Sequence, residues 1–217
     1  MEILIIAAHP DDEVLGCGAT IAKHTQNGDL VQVIFLADGF SSRANGKIRN
    51  NAATKASKIL GCIPPLFLNF PDNELDTVPL LNIVKKIEKV INSFNPTIVY
   101  THHFGDLNID HCIAHKAVSI ACRPQPGLSI TRIMSFEILS SSEWQLAGAK
   151  NVFQPNWFED VNDTYSLKQE AISAYDFEMR EWPHSRSSEN LINLAKLRGA
   201  SVGINLAEAF VVLRVIS

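Results

Sequence analysis

One short stretch, AAHPDDE at residues 7–13, places an imidazole beside three carboxylates. It follows an apolar, β-branched run at residues 3–6, which predicts a buried strand, and it precedes apolar residues at helical spacing over residues 14–24. The four side chains are therefore expected on a strand-to-helix turn, at the edge where open α/β sheets place their sites. Because His9 lies three residues before Asp12, the two can converge on one metal ion while Asp11 points elsewhere.

The same carboxylates also suit an ordinary helix start. Acidic residues in a first helical turn interact favourably with the helix dipole, and proline is common at that position. This structural explanation accounts for Asp11, Asp12 and Glu13 but does not require His9.

A second concentration of polar residues, HHFGDLNIDH, occupies residues 102–111 after the predicted strand at residues 97–101. Any of its three histidines, His102, His103 and His111, could complete a site of two imidazoles and one carboxylate with His9 and Asp12. Such a site leaves a coordination position for water, which is the arrangement of catalytic zinc.

Three segments together carry a family resemblance. They are AHPDDE at 8–13 with LGCGA at 15–19, DLNIDH at 106–111, and Arg198-Gly199 with EAF at 208–210. This pattern closely resembles the PIG-L/LmbE family of zinc-dependent N-deacetylases and spans nearly the whole chain.

The resemblance implies a metal centre and a catalytic base. It selects His111 as the ligand that joins His9 and Asp12 around Zn²⁺, with another divalent ion such as Fe²⁺ as the alternative. Asp11 is the implied general base, which takes a proton from metal-activated water and passes it to the leaving amine. Asp110, next to the ligand, is expected to orient an imidazole.

Two departures from the family pattern affect the expected oxyanion partner. Relatives often carry a histidine where this chain has Asn108, which can donate only a neutral hydrogen bond. The segment PHSR at 183–186 stands where relatives often show PHPR, so His184 is the second candidate for the oxyanion or acid role.

Three residues are expected to contact substrate. Asp38 follows the predicted strand at residues 30–36, and an ordinary turn aspartate is its alternative explanation. Arg49 matches an arginine that relatives use toward substrate, but Ala52 stands where they commonly carry its glutamate partner. Arg186 belongs to the PHSR segment.

The chain as a whole predicts an α/β fold: a single domain, residues 1–217, with a Rossmann-like, mostly parallel open sheet and helices on both faces. Further strands are predicted at residues 66–70, 132–137 and 208–216. Helices are predicted at residues 48–60, 78–94, 113–122 and 166–175, and from a cap at Ser187 or Ser188 to Leu197. The aromatic, weakly patterned residues 140–155 suggest a substrate-side insertion or a subunit contact.

Composition narrows the expected partners. With 19 basic and 23 acidic residues the net charge is −4, without a long run of either sign, so neither nucleic acid nor a membrane surface is an expected partner. No segment approaches the roughly 18 apolar residues of a membrane span, and no basic leader precedes the first strand. The expected location is the cytoplasm, and the resemblance implies a homo-oligomer.

These observations predict a hydrolase that removes an N-acetyl group from an amino sugar of the N-acetylglucosamine type. Its alternatives are an amidase for another amide, such as a sugar–thiol conjugate, and a non-catalytic sugar-binding relative. A non-haem iron oxygenase is disfavoured by the strand–helix alternation. A nucleotide-binding module is disfavoured because no glycine-rich loop follows the first strand.

Overall fold

The structure, a computed structural model, describes residues 1–38, 46–146 and 151–217, with only the backbone for Gly46 and Lys47. Its strands are β1 (Glu2–Ala7), β2 (Leu30–Ala37), β3 (Leu66–Phe70), β4 (Ile98–His102), β5 (Arg132–Phe136), β6 (Trp157–Asp160) and β7 (Ala207–Val215). Its α-helices are α1 (Asp12–Gln26), α2 (Gly46–Ile59), α3 (Leu80–Phe94), α4 (Ile109–Ala121), α5 (Tyr165–Ser173) and α6 (Ser188–Ala200).

The seven strands of the described residues form one sheet in the order β3-β2-β1-β4-β5-β7-β6. Strands β1 to β5 pair in parallel, whereas β7 runs antiparallel to β5 and β6. The chain builds outward from β1 through β2 to β3 and then returns to place β4 on the other side of β1. The loops that leave β1 and β4 therefore diverge at a topological switch point, where such sheets bind ligands.

Both faces of the sheet are covered by helices. In β1, Ile3, Ile5 and Ala7 point into a core shared with α1, α2, α5 and α6, and the alternate residues Leu4 and Ile6 point into a core shared with α3 and α4. These side chains are fully buried. The predicted α/β class, the mostly parallel sheet and the two helical layers are confirmed.

The edge beyond β5 differs from the sequence prediction. Pattern alone left β6 unassigned, because four residues are too short for an alternation signal. β6 is nevertheless paired along its length with β7, with Trp157 opposite Phe210. The segment predicted as helical at residues 166–175 ends at Ser173, and a single 3₁₀ turn at Asp176–Glu178 follows it.

The helix after the second polar segment starts earlier than predicted. It begins at Ile109 rather than residue 113, because the Asn108 side chain caps it by accepting the backbone N–H of Asp110 at 2.9 Å. Asp110 and His111 consequently lie in the first turn of α4, not in the preceding loop.

Helix α1 is broken at Cys17, whose φ of −148° and ψ of 24° are not helical. A buried ion pair satisfies the backbone groups that the break releases. Lys168 Nζ donates to the carbonyl of Leu15 at 2.8 Å, while the Glu208 carboxylate accepts the N–H groups of Ala19 and Thr20 at 3.1 and 2.7 Å. Lys168 and Glu208 are themselves 2.7 Å apart. Residues of α5 and β7 thus hold the first turns of α1 in place.

None of the helices in the described ranges is both long and apolar enough to cross a membrane.

Breaking the Lys168–Glu208 pair should destabilise the fold. Lys168→Met leaves a buried carboxylate without its cation, and we expect the free energy of unfolding to fall by about 3–5 kcal/mol. Urea unfolding measures this free energy. In the double variant Lys168→Met/Glu208→Gln it should fall by less than the sum of the falls in the two single variants.

The matched control is Arg123→Met at the exposed Arg123–Glu88 pair, whose atoms lie 3.7 Å apart. This substitution should lower the free energy of unfolding by less than about 1 kcal/mol. A similarly small cost for Lys168→Met would show that the buried pair does not support the broken helix.

Candidate metal and catalytic site

A cleft opens at the switch point, where the loops after β1 and β4 diverge. Its volume is about 80 Å³. The lining consists almost wholly of polar and charged side chains: His9, Asp11, Asp12, Arg49, Asp72, Asn73, Asn108, His111, Ser140, Ser141 and Arg186.

Three predicted ligands converge in this cleft. Asp12 Oδ2 lies 3.2 Å from His9 Nδ1 and 3.3 Å from His111 Nε2. One potential ligand atom of each residue lies within 4.8 Å of the others, and all three side chains are buried. The arrangement offers two imidazole nitrogens and one carboxylate oxygen, a donor set that suits zinc or ferrous iron.

Each of the two imidazoles directs its other nitrogen to a carboxylate. His9 Nε2 is 3.0 Å from Asp110 Oδ2, and His111 Nδ1 is 3.1 Å from Asp106 Oδ1. Carboxylates in this position fix the orientation of metal-binding histidines and increase their basicity. The predicted contact of Asp110 with an imidazole is therefore present, and Asp106 makes the equivalent contact on the other side.

These carboxylates are themselves held by hydrogen bonds. Asp110 Oδ1 accepts the backbone N–H of Leu75 at 3.0 Å. Asp106 accepts the hydroxyl groups of Ser141 and Ser142 and the backbone N–H of Asn108.

Neither His102 nor His103 belongs to the triad. His102 Nε2 accepts the backbone N–H of Ala8 at 2.8 Å, which occupies the lone pair that a metal would need. Burial, aided by the charge of His111, lowers the pKa of His102 well below its ordinary value, so this ring stays neutral. His103 Nε2 is directed to the backbone carbonyl of Asn151, at 3.0 Å.

The electrostatics of the triad favour a cation. Burial alone would lower the pKa of His9, but Asp110 and Asp12 outweigh it and raise that pKa to about 10. Burial likewise opposes protonation of His111, whose pKa is raised to about 9 by Asp12 and Asp106. The negative potential that holds these protons will also attract a divalent ion, so the residues present fit a metal.

A second acidic group shares His9. His9 Nε2 lies 3.4 Å from Asp72 Oδ1, and these atoms together with Asp110 could also surround an ion. That group offers one nitrogen and two carboxylates, a composition closer to magnesium or manganese sites. The group with two imidazoles is the better match for zinc.

Asp11 lies beside the triad without belonging to it. Its φ of 124° is in a region that non-glycine residues rarely adopt. Glu13 stabilises this conformation by accepting the backbone N–H of Asp11 at 3.0 Å and the hydroxyl of Tyr175 at 2.7 Å. Burial raises the pKa of the Asp11 carboxyl to about 6 even though Arg186, 2.9 Å from Oδ2, lowers it.

Arg49 has a carboxylate partner far away in the sequence. In place of the family glutamate, for which this chain has Ala52, Glu178 Oε1 accepts hydrogen bonds from Arg49 Nε and Nη2 at 2.7 and 2.6 Å. Arg49 Nη1 also lies 3.7 Å from Asp72 Oδ2. The guanidinium is thereby fixed at the wall of the cleft.

The remaining predicted residues occupy different places. Asn108 lines the cleft, and because its oxygen caps α4, its NH₂ group is left to donate. Arg186 lines the cleft as well. His184 is not among the described residues of the cleft wall and lines an adjoining cavity. Asp38 also lies outside that wall; its backbone N–H donates to Phe70.

Sequence patterns did not assign roles to Asp72, Asp106 or Glu178. Asp72 and Asp106 could have been found, since each stands in a polar turn after a strand that borders the site. No sequence pattern indicated a role for Glu178, because 129 residues separate it from its partner Arg49.

Metal binding should depend on pH in a defined direction. Because His9 and His111 must lose their protons to become ligands, zinc binding below about pH 9 should release about two protons. The zinc affinity should therefore fall as the pH is lowered from about 8 to about 6. Competition with a chromophoric chelator measures the affinity, and an indicator dye in weak buffer measures the protons. An affinity that does not change over this range would contradict the assignment of the ligands.

Asp106 should support metal binding although it is not a ligand. Asp106→Asn removes the charge that faces His111 Nδ1, and zinc should bind about 10–100-fold more weakly. The exposed Asp163 provides the matched control, because Asp163→Asn makes the same chemical change away from the cleft. Equal zinc affinities for the two variants would exclude this role.

Comparison with known proteins identifies the family. The model described as PIG-L, GlcNAc-PI de-N-acetylase, matches residues 4–122, more than half of the chain. A relative named "uncharacterized deacetylase YaiS" from Escherichia coli (strain K12) is 33% identical over 75% of this chain and 83% of its own. The diacetylchitobiose deacetylase of Thermococcus kodakarensis is 27% identical over 83% of this chain and 71% of its own.

The fold also occurs with other chemistry. The solved structure of GalB, the 4-carboxy-2-hydroxymuconate hydratase of Pseudomonas putida KT2440, has a TM-score of 0.77 at 22% identity and covers 100% of this chain and 98% of its own. This likeness concerns the fold alone, whereas the family model also covers the triad, Asp11, Asp106 and Asp110. The chain belongs to the PIG-L family of de-N-acetylases.

Proposed function

We propose that this protein is a metal-dependent hydrolase that removes the N-acetyl group of an amino sugar of the N-acetylglucosamine type. The observation that carries the proposal is a buried carboxylate, Asp11, beside a triad of two imidazoles and one carboxylate to which it does not belong. The family match and the similarity to a diacetylchitobiose deacetylase support the choice of an acetylated sugar.

His9, Asp12 and His111 would hold the metal, and Zn²⁺ fits their donor set, with Fe²⁺ as the alternative. When bound, such an ion supplies Lewis acidity, which makes water a better nucleophile and polarises an amide carbonyl. Asp106 and Asp110 keep the two imidazoles oriented.

Asp11 acts as the general base. Its pKa of about 6 leaves the carboxylate mostly deprotonated at neutral pH. This pKa is also close enough to neutral pH for the group to take a proton and return it. Because Arg186 donates a hydrogen bond to Asp11 Oδ2, Asp11 Oδ1 is assigned to the reacting water. The proton then moves from Asp11 to the leaving amine, which departs as the free amino sugar while the acyl group becomes acetate.

Asn108 is better placed than His184 to assist the oxyanion. Its NH₂ group borders the cleft and is not used in capping α4, so it can donate to the developing negative charge. Arg49 and Arg186, which also line the cleft, are assigned to substrate hydroxyl groups. Asp38 is a weaker candidate, since the cleft wall does not include it.

Two alternatives would use the same cleft: an amidase that hydrolyses another amide, and a sugar-binding protein without activity. A location in the cytoplasm and a homo-oligomeric state, both expected from the sequence, stay predictions.

The proposal is tested by acetate release from a panel of N-acetylated amino sugars. Zinc-loaded protein should release acetate, and chelation should abolish the release until zinc is restored. Asp11→Asn should keep one zinc per chain but lower kcat by on the order of 10²–10⁴-fold, because the amide cannot accept the proton.

Asp163→Asn serves as the control and should retain full activity. Near-normal turnover by Asp11→Asn would disprove the assignment of the base. Stoichiometric zinc without acetate release from any sugar would instead favour another amide or a binding function.

A further inference from the structure

The side chain of Asp11 is held by residues from the second half of the chain. Arg186 Nη1 donates to Asp11 Oδ2 at 2.9 Å, and Arg186 Nε donates to Ser140 Oγ at 3.0 Å. The loops that carry Ser140 and Arg186 are joined by a further contact, in which the Glu143 carboxylate accepts the Ser185 hydroxyl. These contacts act on the carboxylate of Asp11, whereas its backbone is held by a different set.

The backbone of Asp11 is fixed by hydrogen bonds on both of its peptide units. Its carbonyl oxygen accepts the N–H groups of Val14 and Leu15 at 3.1 and 3.0 Å, which starts helix α1. Its own N–H donates to Glu13 Oε2 at 3.0 Å. A φ of 124° is unfavourable for a residue with a Cβ atom and persists only where the surrounding contacts hold it. The contact with Glu13 is therefore part of what keeps Asp11 in this conformation.

Glu13 is oriented by a residue that is remote in the sequence. The Glu13 side chain is buried, and its Oε1 accepts the hydroxyl of Tyr175 at 2.7 Å across a separation of 162 residues. Because the two oxygens belong to one planar carboxylate, fixing Oε1 also fixes the position of Oε2. Tyr175 thus reaches the backbone of Asp11 through one intervening side chain.

The Tyr175 hydroxyl has a fixed position because its ring is immobilised. The ring is 2% exposed and belongs to the same apolar cluster as Leu15, Ile172 and Leu191. Asp11 and Tyr175 also border a space that is too small to hold a water molecule. Water on that side is therefore excluded as a substitute for the phenol.

Tyr175 immediately precedes the 3₁₀ turn at Asp176–Glu178, which also supports Arg49. The carbonyl oxygen of Tyr175 accepts the N–H of Glu178 at 2.8 Å, and Glu178 Oε1 accepts the hydrogen bond from Arg49 Nε. Two side chains of this short segment therefore serve different parts of the cleft. A disturbance of the whole turn would displace Arg49 as well, whereas loss of the Tyr175 hydroxyl alone would act on Asp11.

We propose that Tyr175 is a positioning residue for the general base. Through Glu13, its hydroxyl holds the backbone of Asp11 in the conformation that presents the carboxylate to the cleft. The inference rests on the proposed function, because it assigns to Tyr175 a part in the proton transfer that Asp11 performs.

The first test separates kcat from KM. In zinc-loaded Tyr175→Phe, the kcat for acetate release should fall by on the order of tenfold, because the base is no longer held in its productive position. The KM for the sugar and the zinc content should stay unchanged, because Arg49 and the metal triad keep their contacts. An unchanged kcat, or a rise in KM as large as the fall in kcat, would overturn the proposal.

Tyr100→Phe is the matched control. Tyr100 is also buried, and its hydroxyl lies 3.0 Å from His24 Nε2, a residue that does not line the cleft. This variant loses a buried phenol and its hydrogen bond, and it should retain the wild-type kcat. Equal falls in kcat for the two variants would show that Tyr175 has only a structural role.

A second test does not depend on activity. Urea unfolding at a fixed zinc concentration compares Asp11→Gly with Asp11→Ala, which both lack the carboxylate. Because glycine adopts positive φ readily, the equilibrium constant of unfolding should be lower for Asp11→Gly by on the order of tenfold. This advantage should shrink when Tyr175→Phe is added to both variants, since residue 11 can then leave the strained conformation. An advantage of the same size in both backgrounds would show that Tyr175 does not hold this backbone.

The two tests separate this inference from the proposed function. Acetate release at full kcat by Tyr175→Phe, with an undiminished glycine advantage, would disprove the positioning role and leave the deacetylase standing. A glycine advantage that depends on Tyr175, without acetate release from any sugar, would support the positioning of Asp11 and disprove the activity.

Discussion

The carboxylate of Asp12 is the point on which the geometry of the site depends. Its Oδ2 accepts the backbone N–H of His9 at 2.9 Å and lies within 3.4 Å of three imidazoles, those of His9, His102 and His111. These partners belong to the turn after β1, to β4 and to α4. Through His9 and His111 this buried oxygen joins the turn after β1 to α4, and the arrangement is favourable only if positive charge or ligation balances the carboxylate. The end of β1 is joined to β4 by a different contact, in which the N–H of Ala8 donates to His102 Nε2.

Asp12 is positioned in turn by groups that never contact the cleft. It lies in the short segment of α1 before the break at Cys17, and the ion pair of Lys168 and Glu208 satisfies the backbone on both sides of that break. The turn that carries Asp12, near the start of the chain, is consequently held by residues of α5 and β7 from its other end. A carboxylate and an ammonium group here replace part of a helix's own hydrogen bonding.

Sequence spacing predicted the parts of the site that are local in the chain. His9 and Asp12 lie on one turn after one strand, so their proximity follows from the strand–helix pattern, and the motif supplied His111. The partner of Arg49 could not be predicted, because Glu178 reaches it only through the packing of distant elements. Likewise, no sequence pattern could indicate that the lone pair of His102 Nε2 accepts the backbone N–H of Ala8 in the folded chain.

The contact between Glu143 and Ser185 joins two loops that are distant in the sequence, since the Glu143 carboxylate accepts the Ser185 hydroxyl. The region matched by the family model, residues 4–122, contains His9, Asp11, Asp12 and His111, whereas Glu143 and Ser185 and their loops lie beyond it. The two loops are therefore not part of the segment on which the family match rests. Replacing one loop alone would leave Glu143 or Ser185 without its partner, so a change in either loop, whether inherited or engineered, is best tolerated when both loops change together.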